Sequence, residues 1–141
     1  MKLCPCGSHL EYQKCCGPYH QGALATSALA LMRSRYSAYA LKLADYIMDT
    51  THPKNPGFET DRVDWKHHIL EFCEKTDFLK LEILDFEEES DHVATVSFVA
   101  YLDQKGKDVT FTEKSHFEKI KDKWLYKEGR LLEGARKNED L

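Results

Sequence analysis

Apolar positions recur at helical spacing in the first half of this chain and at strand spacing in the second. After Gly22, Thr26 reads as a helix N-cap, and Leu29, Met32, Tyr36, Tyr39, Ala40 and Leu43 then keep to one helical face. Pro53 and Pro56-Gly57 punctuate the end of that region. A second helix is predicted from Thr60 or Asp61, where Trp65, Ile69, Phe72, Cys73 and Thr76 fall at i, i+4, i+7, i+8 and i+11. From Leu79 the period becomes two: Leu79, Leu81 and Ile83 alternate with Lys80 and Glu82. Ser90-Asp91 makes a turn, and Val93 to Leu102 is apolar on both faces, the mark of a central strand. Gln104-Lys105-Gly106-Lys107 reads as a hairpin loop. Val109, Phe111, Glu113, Ser115 and Phe117 share a face of the next strand, and after a turn at Lys121-Asp122-Lys123, Trp124, Tyr126 and Glu128 share a face of the last. Helices first and an antiparallel meander after is an α+β layout.

Composition bounds the rest. A chain of 141 residues holds one core plus a small appended element. Three segments are predicted: a cysteine-rich knuckle over 1–22, the α+β domain over 23–134 and a polar tail over 135–141. The formal net charge of −4 offers no general attraction to nucleic acid, and no apolar run approaches the ~20 residues of a membrane span. Glu82, Asp85, Glu87, Glu88, Glu89 and Asp91 crowd one segment against Lys80 alone, which reads as a solvated hairpin end or as a patch for a basic partner.

Four of the five cysteines lie in the first sixteen residues, as Cys4-Pro5-Cys6 and Cys15-Cys16. Two close pairs can wrap one tetrahedral ion, and soft thiolates favour zinc. Ser8, with Glu11 three residues on, is expected to cap a short helix through Leu10 and Tyr12. That helix would deliver Cys15 and Cys16 to the metal and end at Gly17-Pro18. Lys2 and Lys14 are expected to offset the thiolate charge, and His20 is a spare nitrogen ligand should Cys16 point away. Disulfides and an iron–sulfur cluster are the alternatives. Met1-Lys2-Leu3 runs straight into Cys4, so no export signal is predicted and a cytoplasmic, reducing setting is expected. A bond between neighbouring Cys15 and Cys16 would be strained. Cys73, alone in a predicted helix, reads as a core thiol.

The stretch CPCGS-x6-CC, with Tyr12 inside it, resembles the SEC-C motif. That motif also ends the bacterial preprotein translocase motor, where it binds zinc and contacts a secretion chaperone; its usual ending is Cys-His, where this chain has Cys15-Cys16. The run Leu31-Met32-Arg33-Ser34-Arg35-Tyr36-Ser37-Ala38-Tyr39, with Tyr46 and Thr51-His52-Pro53, resembles the YchJ-like family of uncharacterised bacterial proteins. Glu113-x-Ser115-x-Phe117 and Trp124-x-Tyr126-x-x-Gly129 fit the same pattern. The resemblance implies a SEC-C knuckle followed by a cone-shaped α+β domain like nuclear transport factor 2. It implies no established activity.

Two charges interrupt apolar faces. Arg33 lies at the edge of the helical stripe, and Glu113 sits between Phe111 and Phe117 on one strand face. In a cone-shaped fold the helices cover the concave side of the sheet, so Arg33 and Glu113 are expected to meet inside. There they would form either a structural ion pair or a polar anchor at the base of a ligand pocket. His52, beside Pro53 at a helix-to-loop junction, is either a capping residue or overhangs the cavity mouth. His67-His68 are adjacent and so do not make a metal site on one helical face; His92 and His116 have no evident partner ligand. Nucleophile, Walker, dinucleotide and zinc-protease motifs are missing, and no catalytic residue is assigned.

Two functions follow. One is a non-catalytic zinc-binding interaction module whose knuckle face, with Lys14, Tyr19 and His20, docks a protein; a secretion chaperone or the ribosome is the partner by analogy. The other is a small-molecule-binding protein or enzyme using Arg33, His52 and Glu113 in the cone. A cavity with converging polar groups favours the second; an interior filled by aromatic side chains favours the first.

Overall fold

A computed structural model describes residues 2–141 and shows helices packed on one face of an antiparallel sheet. The central element is helix α2 (Ala28–Ala40), preceded by a short helix α1 (Gly17–His20). Its N-cap is Ser27, one residue past the expected Thr26, whose Oγ accepts from the Ala30 amide at 3.0 Å. Leu31, Met32 and Tyr36 are buried towards the sheet, each worth about 1.5–3 kcal/mol of transfer free energy. Ser34, Arg35, Ser37 and Ala38 are buried as well. This helix is therefore enclosed on nearly all sides, with the knuckle on one flank and the sheet on another, and its sequence shows no clean polar face. Helix α3 (Ala44–Asp49) and helix α4 (Arg62–Lys75) close a second apolar cluster around Ile47, Met48, Trp65, Ile69 and Cys73. Asp61 caps α4 through the amides of Val63 and Asp64.

Five strands follow: β1 (Asp77–Glu88), β2 (Val93–Gln104), the short β3 (Lys107–Asp108), β4 (Phe111–Ile120) and β5 (Lys123–Glu133). The sheet order is β1-β2-β4-β5, all antiparallel, with β3 pairing only β2. β2 is central, as expected. Its outer positions Thr95, Ser97 and Val99 are small and buried between Glu87 and His116, Asp85 and Lys114, and Glu82 and Thr112 on the flanking strands. The β2–β3 hairpin turns on Lys105 and Gly106, both at positive φ (52° and 84°), the pair that a two-residue primed turn requires.

Bulges correct two strand faces. β1 shifts register between Phe78 and Lys80 and again between Ile83 and Asp85. Phe78, Leu81, Ile83 and Phe86 therefore face the core, and Leu79, expected among them, is 66% exposed. β4 and β5 shift between His116 and Phe117, leaving Lys127 unpaired, so that Gly129, not Glu128, follows Trp124 and Tyr126 on the inner face.

Candidate metal centre and cone cavity

The knuckle is a tight loop closed by backbone hydrogen bonds from Cys4 to Leu10 (2.8 Å) and from Tyr12 to Lys2 (3.0 Å). Gly7 sits at φ 80°, and a Cβ there would press on the Leu81 carbonyl of β1, so this turn needs glycine both for its backbone and for its seat on the sheet. The expected helix capped by Ser8 is replaced by a single 3-10 turn, Tyr12–Lys14, and Ser8 instead turns its hydroxyl to Cys15 Sγ at 3.1 Å. Gly17-Pro18 opens α1, with Pro18 in the first turn, where the sequence suggested an end. Cys15 and Cys16 thus lie between two short helical pieces, which lets adjacent residues turn their sulfurs to one point.

The Sγ atoms of Cys4, Cys6, Cys15 and Cys16 all lie within 4.8 Å of one another. Cys6 to Cys15 is 3.5 Å and Cys15 to Cys16 is 3.9 Å. A tetrahedral ion with metal–sulfur bonds of about 2.3 Å has sulfur–sulfur edges of roughly 3.8 Å, so the donor set fits. None of the five cysteines forms a disulfide. The thiols alone are electrostatically frustrated. The Cys16 thiol hydrogen-bonded to it holds Cys6 well below its ordinary value. Donation to Cys6, then burial, pushes Cys16 up, and burial pushes Cys15 up. Held together as four thiolates, they would need a cation among them.

His20 is not positioned as a ligand. Its Nε2 donates to the Ser34 carbonyl (2.8 Å) and its Nδ1 accepts from the Tyr12 hydroxyl (2.6 Å), while the ring meets Tyr46 edge-on at 4.8 Å. It pins the knuckle to α2 and is half-buried, not part of an open docking face. Arg33 brings a cation to the sulfurs: its Nη1 donates to the Cys6 carbonyl at 2.9 Å and stands 4.0 Å from Cys6 Sγ. This corrects the expected Arg33–Glu113 contact. Arg33 faces the knuckle, and the arginine inside the cone is Arg35.

The cone holds a cavity of about 170 Å³, lined by Arg35, Glu113, Ser115 and Tyr126 together with Tyr36, Tyr39 and several phenylalanines. Arg35 Nη1 donates to the Ile47 carbonyl (3.0 Å), Thr50 Oγ1 (2.7 Å) and Thr51 Oγ1 (3.2 Å) at the C-terminal end of α3, where exposed carbonyls favour a cation. Its guanidinium lies 4.8 Å from the centroid of the Tyr126 ring. Glu113 Oε2 accepts from the Tyr126 hydroxyl at 2.8 Å and from Ser115 Oγ. No described cation lies within ion-pair distance of this buried carboxylate. A side chain at Gly129 would collide with it. Burial, then the neighbouring Glu113, pushes the Tyr126 phenol far up, and burial, against the opposing effect of the Lys80 backbone, pushes Tyr36 up to about 12. The Tyr36 hydroxyl is sealed from water and makes no hydrogen bond of good geometry with the described residues.

His52 does not line this cavity. It is buried 3% exposed on the far side of β5, its Nε2 donating to Glu118 Oε1 at 2.6 Å and its Nδ1 accepting from the Lys54 amide. The hydrogen bond from His52 holds the Glu118 carboxyl below its usual range. With backbone bonds from His52 to Tyr126 and from Tyr126 to Thr50, this pair sews the segment after α3 onto the sheet.

Sequence reading found Glu113 but missed Arg35, Ser115, Tyr126 and Gly129 as its surroundings. A signal existed for Arg35, which lies three residues after Met32 and four before Tyr39, on the very stripe assigned to the core. The two short patterns Glu113-x-Ser115-x-Phe117 and Trp124-x-Tyr126-x-x-Gly129 prove to be the two strands that surround one carboxylate.

Residues 27–129 match the family model described as YchJ, middle NTF2-like domain. A UPF0225 protein of Bordetella pertussis is 39% identical over 131 residues, covering 89% of this chain and 90% of that one. The solution structure of a SEC-C motif containing protein from Rhodopseudomonas palustris superposes with a TM-score of 0.77 at 37% identity, over 94% of this chain and all (100%) of that one. The crystal structure of a SEC-C motif containing protein from Psychrobacter arcticus gives a TM-score of 0.77 at 28% identity, over 96% of this chain and 86% of that one. No helix among the described residues is long and apolar enough to cross a membrane. A cysteine cluster arranged for a metal, an NTF2-like cone and these relatives together place the chain in the UPF0225 family, with the NTF2-like middle domain of YchJ over residues 27–129.

Proposed function

We propose that this is a zinc-binding protein that holds a small molecule in its cone. One observation carries the reading: Glu113 is a carboxylate buried in a cavity, fixed by two hydroxyls and given no described counter-ion. A carboxylate taken from water costs several kcal/mol unless paired, and an arrangement that serves only the fold would replace it with an apolar side chain. The zinc is structural in this reading. Four sulfur ligands leave no open position for water, and Arg33 with the knuckle amides offsets the remaining charge. The cytoplasm, where thiols stay reduced, is the compartment in which such a site persists. Elemental analysis of reduced protein should return close to one zinc per chain; iron with visible absorption would overturn the metal. For the cone, NMR screening of fragments against metal-replete protein should shift resonances of the cavity lining, and Ala100→Leu, which fills the cavity, should abolish those shifts.

A second reading keeps the interaction module. Leu3 and Leu10, 61% and 53% exposed, stand on the knuckle loop and offer apolar contact to a partner protein, for which a secretion chaperone or the ribosome is the analogy drawn from SEC-C tails. Affinity capture with the intact protein and with a Leu3→Ser, Leu10→Ser variant decides it: retention of the same proteins by both would remove the knuckle face from consideration.

A further inference from the structure

Resting on the cavity reading above, we propose that the cone takes a small, uncharged ring compound bearing a hydroxyl or amide group. Size sets the first limit. A cavity of about 170 Å³ is close to the ~150 Å³ that accommodates benzene in an engineered core, so one ring with one short substituent fills it. The walls set the second. Tyr36 and Phe78 meet edge-to-face at 5.8 Å, Phe72 and Phe78 at 6.1 Å, and a guest ring continues the same packing.

Charge sets the third limit. The cavity already holds one cation and one anion, Arg35 and Glu113. Arg35 is committed to the α3 terminus and to the Tyr126 face. The charges of the lining sum to zero, so a guest ion of either sign would add a net charge taken out of water. Hydrogen bonding sets the last. Glu113 Oε2 takes two donors, whereas Oε1 takes none from the described residues and is not sealed from the cavity. A guest hydroxyl or amide donates to Oε1, which a hydrocarbon ring does not.

Near-isosteric probes separate these limits: benzyl alcohol, ethylbenzene, benzylammonium and benzoate, titrated into full-length, metal-replete protein and followed by NMR. Benzyl alcohol should give saturable shifts at Tyr36, Phe98 and Ala100 and bind at least about tenfold more tightly than ethylbenzene, the value of one hydrogen bond to a charged group. Benzylammonium and benzoate should leave those resonances in place. Glu113→Gln should erase most of the preference for the alcohol, and the Glu113→Ala, Gly129→Ala pair, in which alanine takes part of the space the carboxylate leaves, tests the same preference should the first variant fail to fold. Equal affinity for alcohol and ethylbenzene, or a preference for a charged probe, overturns the ligand class while the ligand-binding cone stands. Absence of any binding, or binding that survives Ala100→Leu, overturns the cavity reading itself.

Discussion

The knuckle and the cone both bury negative charge, and they do so in opposite ways. In the knuckle, four sulfurs come from within sixteen residues of chain and close completely around one point. In the cone, Arg35, Glu113, Ser115 and Tyr126 come from α2, β4 and β5 and leave space between them. The first arrangement would saturate a bound ion and leave it no open position; the second leaves polar atoms facing a void and so has room to receive something. A closed site is written locally and an open one is assembled by tertiary register.

Metal removal should break this comparison most visibly. Chelation or Cys16→Ser should unfold residues 2–20, since so short a loop has too little apolar surface to fold without its ion, while hydrogen exchange in β1–β5 stays slow. Loss of protection in the strands as well would make the two regions one cooperative unit. The docking bonds of His20 and Arg33 predict that α2 amides near Ser34 move, even where they remain protected.

The two arginines of α2 give a smaller and sharper contrast. Arg35→Met takes a charged donor from the Ile47 carbonyl and two threonine hydroxyls, which keep only their bonds to one another and to Tyr46, and should cost roughly 2–3 kcal/mol in denaturant unfolding. Arg33→Met should cost about 1 kcal/mol and should quicken metal loss to a chelator, which Arg35→Met should not. Combined with Glu113→Gln, the Arg33 change should add within about 0.5 kcal/mol, because the two sites share no partner.

Gly129→Ala tests whether the carboxylate occupies the space that the missing side chain leaves. The collision with Glu113 should cost about 1–3 kcal/mol. In a Glu113→Ala background the same change should be neutral or slightly stabilising, because alanine suits a strand better than glycine. The smallest effect concerns Glu118. Its folded pKa is depressed by His52, so its contribution is present above the unfolded value of about 4.3 and is lost as pH falls through the lower folded value. The melting temperature of Glu118→Gln should therefore change less than that of the parent between about pH 5 and the acid limit, and match its slope above that range.

How much was legible follows from the same contrast. The four clustered cysteines were readable because their spacing is a sequence property, and the two long helices and the central strand were readable because their periods are. Arg33 was placed inside because one helical stripe was assumed to face one neighbour; α2 has several neighbours, so a charge two residues away took the interior place. Leu79 and Glu128 were put on the wrong faces by bulges, which insert a residue without any change in composition to announce it. His20 and His52 carry the chemistry of ligands, yet each spends both ring nitrogens on holding one segment to another.

The bulges in β1 have an effect beyond the side chains they redirect. β1 ends the sheet order, so one row of its peptide groups faces outward with no strand beside it, the arrangement through which identical chains can stack into fibres. Two register breaks interrupt that row, and Glu82, Asp85, Glu87 and Glu88 along it would confront the same charges on a second copy. A neighbour would have to match both kinks and bear the repulsion. The irregularity that hid the inner face of this strand from sequence reading also keeps its margin from becoming a template.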